Sequence, residues 1–181
     1  MAISIPLSKT GKNAGKYVAL IDDCDADLAE MNWCARKDRD VVYPRRTINK
    51  TRTEYLHKVI AIRMFGEIPE NKLVDHIDNN PLNCCRDNLR LASYAENAHN
   101  VRRHKDNQSG YKGVSWNKNA QKWMAQICFD NRKIHLGLFD TSEKAHKAWR
   151  TKALELQGEF FNDGTSSAVS QEAPENKKLG H

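Results

Sequence analysis

The residues most able to do chemistry lie in one polar stretch, VDHIDNNPLNCCRDNLRLASYAENAHN, at positions 74–100. Asp75 offers an anionic oxygen and Asn97 a neutral carbonyl oxygen, and such hard ligands suit Mg²⁺ or Mn²⁺. His76 directly follows the aspartate, and the unperturbed pKa of an imidazole suits a general base at neutral pH. Asn88 has an amide that can hold this imidazole in one tautomer. The set therefore predicts metal-assisted hydrolysis of a phosphodiester.

A simpler interpretation applies to each of these residues taken alone. Aspartate and asparagine are frequent in polar turns, and D-H-x-D-N-N-P has the composition of such a turn. The asparagines of the following helix can equally be surface residues. Only the joint occurrence of the four residues at this spacing favours a site.

The elements around these residues are predicted to be a strand, a long loop, a second strand and a helix. The strands are KLVDHI and DNLRLA, and the loop between them is the turn-rich DNNPLNC. Ser93 followed by Glu96 forms a capping box, which predicts a helix from about Tyr94 to Arg103. A ββα unit of this size brings the four polar residues to one cleft.

An amphipathic helix is predicted just before this unit, over LHKVIAIRMFG. Its apolar face contains Leu56, Val59, Ile60 and Met64, and a C-cap glycine follows at position 66. The second residue of the stretch is a histidine, at position 57. A histidine at a helix start is more often a packing or hydrogen-bonding residue than a ligand.

The first 55 residues predict a small β-rich module. KYVALI and VVYPRRTI are predicted strands, with TEYLH a third, and the aspartates of DDCDADLAEM favour a helix start. Pro44 restricts its strand to a sheet edge or a bulge. Basic residues cluster here, and they indicate either a solvated hairpin face or a phosphate-contacting surface: Arg36, Lys37, Arg39, Arg45, Arg46, Lys50 and Arg52.

After the polar linker KDNQSG, three strands are predicted to form a meander: YKGVSWN, QKWMAQICFD and KIHLGLFD. In the middle strand Trp123, Ala125, Ile127 and Phe129 share one face, as a half-buried sheet requires. The stretch DTSEKAHKAWRTKALELQG then predicts a helix that begins at Asp140 with Glu143 and ends at Gly158. Its apolar face is predicted to pack on the sheet.

Charge and cysteine content narrow the function classes. The net charge is +6 and the pI is near 9.1, which favours a polyanionic partner. No apolar run is long enough for a membrane-spanning helix, and the N-terminus lacks the pattern of a secretory signal. The five cysteines show no paired zinc-ligand spacing. We therefore expect reduced, buried cysteines and no structural zinc.

The stretch at 74–100 closely resembles the core of the HNH endonucleases, especially those of phages and mobile introns. The resemblance is carried by the D-H pair, the N-L-R triplet and the asparagine on the following helix. It implies that Asp75 and Asn97 are metal ligands, that His76 is the general base and that Asn88 orients it. Asparagine at position 97 corresponds to the H-N-N variant. The adjacent cysteines 84 and 85 depart from the usual polar or basic residues of the loop.

The C-terminal module resembles the APETALA2-like (ethylene-response-factor) DNA-binding domain, through YKGVSW, KWMAQI, HLGLFDTSEKAHKAW and ALELQGEFFN. That fold places a three-stranded sheet in the major groove. The resemblance implies DNA contacts from these residues: Lys112, Ser115, Asn117, Lys122, Gln126, Lys133 and His135. Some positions that are arginine in plant members differ here, so no sequence preference is carried over.

The expected fold class is α+β. We expect a small N-terminal β-rich module (1–55), a ββα-metal HNH nuclease core (56–104), a three-stranded antiparallel sheet packed on one helix (105–162) and a disordered tail (163–181).

The predicted function is a metal-dependent DNA endonuclease of the phage or mobile-element homing type. Its cofactor would be Mg²⁺ or Mn²⁺ and its partner double-stranded DNA, with no membrane. A monomer is expected, with a dimer left open, in the cytoplasm of a bacterium or a phage-infected cell. The alternative is a non-catalytic DNA-binding transcription regulator with a decayed HNH core. The intact set of four polar residues argues against decay.

Overall fold

The structure is a computed structural model that describes residues 1–11, 13–38, 41–100 and 106–164. It confirms the α+β class. Residues 1–91 form one compact unit, and the described residues from position 92 onward form another. Most of the expected tail, from position 165, lies outside the described residues, as do Arg39 and the helix end expected at Arg103.

The first unit contains small antiparallel sheets. Strands β1 (Ala2–Pro6) and β2 (Val18–Asp22) pair with each other. Strands β3 (Cys34–Asp38), β4 (Val41–Ile48) and β5 (Arg52–Tyr55) form a three-stranded sheet with β4 in the middle. Helix α1 (Leu56–Phe65) follows, and β6 (Leu73–His76) pairs with β7 (Leu89–Ala92).

Pro44 lies in the central strand of its sheet, where the sequence predicted an edge or a bulge. It pairs with Ala35 of β3, whereas the pairing of β4 with β5 covers only Arg45 to Ile48. At Pro44 the strand therefore has a neighbour on one side only. This arrangement satisfies the same physical limit, since proline has no N–H to give to a second neighbour.

One hydrophobic core joins the N-terminal strands to the elements around the polar stretch. Ile21 of β2, Leu56 and Ile60 of α1, and Leu82 and Leu89 near β7 all belong to it. The backbone also connects these parts, because β2 exchanges hydrogen bonds of 2.7 and 2.8 Å with the loop before β7. The α1 face expected from the sequence is confirmed, and Gly66 caps the helix with a φ of 80°.

A buried carboxylate stabilises the first unit. The stretch predicted as a helix from its aspartates is a short 3-10 helix, Asp23–Glu30. Within it Asp25 is fully buried. Arg86 binds it at 2.7 and 2.9 Å, and Arg63 of α1 binds it at 3.0 Å. These arginines lower the pKa of Asp25, with Arg86 the larger cause, so the carboxylate stays charged and holds three segments together.

The second unit begins with α2 (Tyr94–Asn100). The predicted capping box is confirmed, since Ser93 N–H donates to Glu96 at 2.6 Å and Glu96 N–H donates to the Ser93 hydroxyl at 3.2 Å. Strands β8 (Val114–Asn117), β9 (Lys122–Phe129) and β10 (Arg132–Phe139) form the expected antiparallel meander.

Helix α3 (Ser142–Gln157) packs its Ala145, Trp149 and Ala153 face against this sheet. The predicted N-cap at Asp140 is wrong by one residue. Thr141 is the N-cap, and its hydroxyl accepts from the Lys144 N–H at 3.3 Å. Threonine at this position satisfies the same orphan donor. The predicted end at Gly158 is confirmed.

Gly113, just before β8, permits the close approach of Trp149. Its φ is +73°, and a Cβ at this position would lie 2.0 Å from the indole. Any side chain would displace the tryptophan that fills the centre of the second core. The glycine of the Y-K-G-V stretch is therefore required by packing as well as by backbone conformation.

Two of the five cysteines are buried, and the expectation of buried thiols is wrong for the rest. Cys84 and Cys85 lie in the first core region, whereas Cys24, Cys34 and Cys128 are exposed. None of the helices that the structure describes has the length and apolarity needed to cross a lipid bilayer.

Candidate active site and nucleic-acid interface

Asp75 and His76 are the last two residues of β6, and both are buried. The Asp75 carboxylate is 5% exposed. One of its oxygens, Oδ2, accepts hydrogen bonds from Arg90 of β7, with Nε and Nη2 each at 2.9 Å. Arg90 thus neutralises the carboxylate across the two-stranded sheet.

His76 packs against a second histidine. The His57 and His76 rings meet edge-on with centroids 5.0 Å apart. Burial lowers the pKa of His76 to about 4, although the carboxylates of Asp78 and Asp75 oppose this effect. Burial also lowers the pKa of His57 to about 3. Both imidazoles are therefore neutral at pH 7, and a neutral imidazole can accept a proton.

Asn88 fixes the loop that follows His76. Its Oδ1 accepts from the Asp78 N–H at 3.0 Å, and its Nδ2 donates to Asp78 Oδ1 at 2.9 Å and to the Asn83 carbonyl at 2.8 Å. Its backbone carbonyl accepts from the Ile77 N–H at 3.0 Å. Asn88 is therefore bonded to the turn that begins directly after the imidazole.

The rest of the loop is a set of polar turns. Asp78 Oδ1 accepts from the Asn80 N–H at 2.8 Å, and Asn80 in turn accepts from the Leu82 N–H at 3.2 Å. Asn83 Nδ2 donates to Asp78 Oδ2 at 2.9 Å. For these three residues the simpler turn interpretation is therefore sufficient.

Asn97 lies on α2, which belongs to the second unit, whereas Asp75, His76 and Asn88 belong to the first. Its backbone N–H donates to the Ser93 carbonyl in the first helical turn, and its side chain is half-buried. The structure thus brings three of the four predicted residues together within one unit and places the fourth on a capped helix.

The donor chemistry of the predicted metal ligands fits a hard cation. A carboxylate and a carboxamide oxygen suit Mg²⁺ or Mn²⁺. Across the described residues, no three His, Cys, Asp or Glu side chains gather in a way that could hold a metal.

Six of the seven predicted DNA-contacting residues lie on the face of the β8–β9–β10 sheet opposite α3. The pairing register places Asn117 beside Lys122, Gln126 beside His135, and Lys133 beside Cys128. Their inward neighbours Ala125 and Ile127 are buried in the core. The outward face is therefore polar and basic, as the alternation predicted.

Some of these outward side chains already have partners. Asn117 Oδ1 accepts from the backbone N–H groups of residues 119 and 120, each at 3.0 Å, and so shapes the β8–β9 turn. Lys122 forms an exposed ion pair with Asp140 at 3.2 Å, which costs little to break.

Lys112, the seventh residue, has a different environment. Its ammonium donates to the His99 carbonyl at 2.7 Å and to the Asn162 carbonyl at 3.0 Å. It also lies 5.7 Å from the centroid of the Trp149 ring. Burial lowers the pKa of Lys112 to about 8. These contacts connect the last turn of α2 to the sheet module.

Sequence reasoning misses Arg90, which enters it only as part of the N-L-R triplet. The interpretations of His57 as a packing residue and of Asp78 as a turn residue agree with the structure, but they do not reveal how close both lie to His76. One signal for Arg90 is present in the sequence. It is a charged residue inside a predicted strand, and it lies two residues after Asn88. No local signal marked the contact between His57 and His76, which lie 19 positions apart.

Comparisons with known proteins agree with this architecture. The family model described as HNH endonuclease matches residues 54–99, and the AP2 domain model matches residues 109–159. Protein 3.8 of Escherichia phage T7 is 40% identical over 95 residues, covering 52% of this chain and 78% of that protein.

A second relative is named Uncharacterized HNH endonuclease L560, from Acanthamoeba polyphaga mimivirus. It is 33% identical over 106 residues, which are 58% of this chain and 54% of the relative, so the chain covers about half of that protein. No solved structure gives a significant match.

The polar strand-loop-strand arrangement and the sheet-on-helix module define a protein with a nuclease-type core and an AP2 domain. The chain belongs to the HNH endonuclease family.

Proposed function

We propose that this protein is a metal-dependent DNA endonuclease that hydrolyses phosphodiester bonds. The observation that carries the proposal is the pairing of a buried carboxylate, Asp75, with a buried neutral imidazole, His76, at the end of one strand. A phage or mobile-element origin, with action in the cytoplasm of a bacterial cell, is supported by the phage T7 relative.

In this proposal His76 removes a proton from the attacking water. Its neutral state at pH 7 leaves a ring nitrogen able to accept that proton. Asn88 positions the imidazole indirectly, by fixing the turn that begins at Ile77 and Asp78. The packing of His57 against His76 restricts the ring further.

Asp75 and Asn97 are the proposed ligands for Mg²⁺ or Mn²⁺. The contribution of the metal, when bound, is charge neutralisation at the phosphate and the leaving 3′ oxygen. Arg90 is hydrogen-bonded to one carboxylate oxygen and thereby fixes the direction of the other.

The sheet module is proposed to bind double-stranded DNA through Ser115, Asn117, Lys122, Gln126, Lys133 and His135. The lysines and the histidine face phosphates, which makes binding depend on salt. Gln126 has an amide that can read base edges in the major groove. Lys112 remains a predicted contact, although its ammonium donates to two carbonyls of the protein itself.

A plasmid-nicking assay tests the proposal. We expect cleavage with Mg²⁺ or Mn²⁺ that stops when the ion is chelated. His76→Ala should lower the single-turnover rate by roughly 100- to 10,000-fold, with little change in DNA affinity. The comparison variant is His135→Ala, on the proposed DNA-contacting face, which should weaken DNA affinity while leaving the single-turnover rate at saturating DNA unchanged. DNA binding without cleavage under any metal condition would instead favour the transcription regulator.

A further inference from the structure

A cavity of about 500 Å³ lies against the outward face of the β3–β4–β5 sheet in the first unit. Three cations line it: Arg36 of β3, Arg45 of β4 and Lys58 of α1. Two phenol rings, Tyr43 and Tyr55, complete most of the wall. The volume falls within the range of roughly 300–1,000 Å³ found for small-molecule sites.

The sheet register builds this wall from two cross-strand pairs. Arg36 lies opposite Tyr43, and Arg45 lies opposite Tyr55. Residues directly opposite each other point to the same side of a sheet. The other side carries Val42, which is buried in the core. Cations and rings therefore alternate on the side that faces the cavity.

The described lining of the cavity carries an excess of positive charge. Among the described lining residues, Asp38 is the one acidic side chain, against three cations. Elsewhere in the unit, arginines 46, 63, 86 and 90 each bind a carboxylate. In the described part of the chain, neither Arg36 nor Arg45 has a carboxylate within ion-pair distance. Two guanidiniums are thus available to an anion from outside.

One ring, that of His57, separates the cavity from His76, the proposed general base. His57 lines the cavity, with its ring centroid 5.7 Å from that of Tyr55 and 5.0 Å from that of His76. The buried Nδ1 of His57 has no hydrogen-bond partner among the described groups. A ligand in the cavity would therefore lie one side chain away from the proposed general base.

We propose that this cavity binds one nucleotide of the substrate DNA strand, with its phosphate between Arg36 and Arg45 and its base against the tyrosine rings. Guanidinium groups recognise phosphate by paired hydrogen bonds, and bases stack on aromatic side chains without sequence preference. Stacking on protein requires a base that has left its duplex neighbours. The cavity therefore favours an unpaired or distorted stretch of DNA over an intact duplex. The inference rests on the proposed function in taking DNA as the substrate.

The test uses the full-length protein in the presence of a metal chelator, so that binding is measured without cleavage. Fluorescence anisotropy compares duplexes with and without a single-nucleotide bulge. Arg36→Gln/Arg45→Gln should weaken binding of the bulged duplex about tenfold, or about 1.4 kcal/mol. The matched control, Lys37→Gln/Lys50→Gln, removes the same charge from β3 and from the β4–β5 turn, outside the cavity, and should change the affinity less than twofold.

Photocrosslinking supplies a second readout on the unaltered protein. A bulged 5-iodouracil should crosslink to Tyr43 or Tyr55, as mapped by mass spectrometry. Equal losses of affinity in both double variants, or crosslinks that avoid both tyrosines, would overturn the cavity assignment. These outcomes are independent of the nuclease proposal, because a protein that binds through the cavity but never cuts with metal would refute only that proposal.

Discussion

The ammonium of Lys112 donates to the backbone carbonyl of His99, at 2.7 Å. Lys112 lies before the first strand of the AP2 module, and His99 lies in the last turn of α2. This bond satisfies a carbonyl that the end of a helix leaves without an intrahelical partner. The lysine therefore fixes the helix that carries Asn97 to the sheet module of the same unit.

Lys112→Met should lower the stability of the second unit by roughly 1.5–3 kcal/mol, since hydrogen bonds to a charged group are lost. Thermal unfolding measures this change, with the exposed Lys118→Met as control. The salt dependence of DNA binding distinguishes this role from a phosphate contact. A slope reduced by about 0.9, together with unchanged stability, would instead support the predicted DNA contact.

Asp75→Asn should raise the Mg²⁺ or Mn²⁺ concentration needed for half-maximal cleavage by at least about tenfold, because one anionic ligand is lost. Calorimetric titration with Mn²⁺ gives a readout that needs no activity. The control is Asp87→Asn, which changes an exposed carboxylate. Identical titration curves for Asp75→Asn and the wild type would remove Asp75 from the metal site.

The free energy of unfolding should fall as the pH decreases below about 6.5. An unfolded histidine titrates near 6.5, whereas burial lowers the pKa of His57 to about 3 in the folded chain. Between these values the unfolded chain binds a proton that the folded chain does not. The contribution of His57 to the free energy of unfolding is therefore fully present above pH 6.5 and is lost as the pH falls towards 3. The slope from this one group is at most about 1.4 kcal/mol per pH unit.

Urea unfolding at several pH values tests this expectation. His57→Phe removes the titrating group and should flatten the pH dependence, while the exposed His135→Gln should leave it as in the wild type. His76, whose pKa is lowered to about 4 by burial, contributes the remaining slope. Parallel pH profiles for His57→Phe and the wild type would contradict the assignment.

Asp25→Ala should be among the most destabilising single changes in the first unit. It leaves Arg63 and Arg86 without their buried partner, and breaking a buried ion pair costs roughly 3–5 kcal/mol. Both arginines are about one-third exposed, which places the expected loss near the lower limit. Asp23→Ala, an exposed change in the same 3-10 helix, is the control. Chemical unfolding that shows equal stability for both variants would contradict this role.

Local chemistry made much of the fold predictable from the sequence. The Ser93–Glu96 capping box and the Gly66 cap use contacts a few residues apart, and both are present. The alternation in β9 depends on which side chains are apolar, and it also holds. The N-cap of α3 is Thr141, whereas the sequence predicted Asp140, because either side chain can accept the hydrogen bond from a backbone N–H in the first turn.

Contacts between distant residues were the part that the sequence did not predict. The pairs Arg90–Asp75 and His57–His76 join separate elements, and nothing in their local spacing sets their distance. The same applies to Lys112, whose outward role was inferred from a family position. Its ammonium instead donates to the carbonyls of His99 and Asn162, which lie near it only in the folded chain.

The division of the chain after residue 91 has a consequence for engineering. The HNH match extends to residue 99, yet α2 belongs to the unit that contains the AP2 module. A truncation or domain swap at the family border would strip α2 of its bonds from Lys112 and Asn162. A transplanted AP2 module should therefore carry α2 with it, and the nuclease core left behind would lose Asn97, one of its two proposed metal ligands.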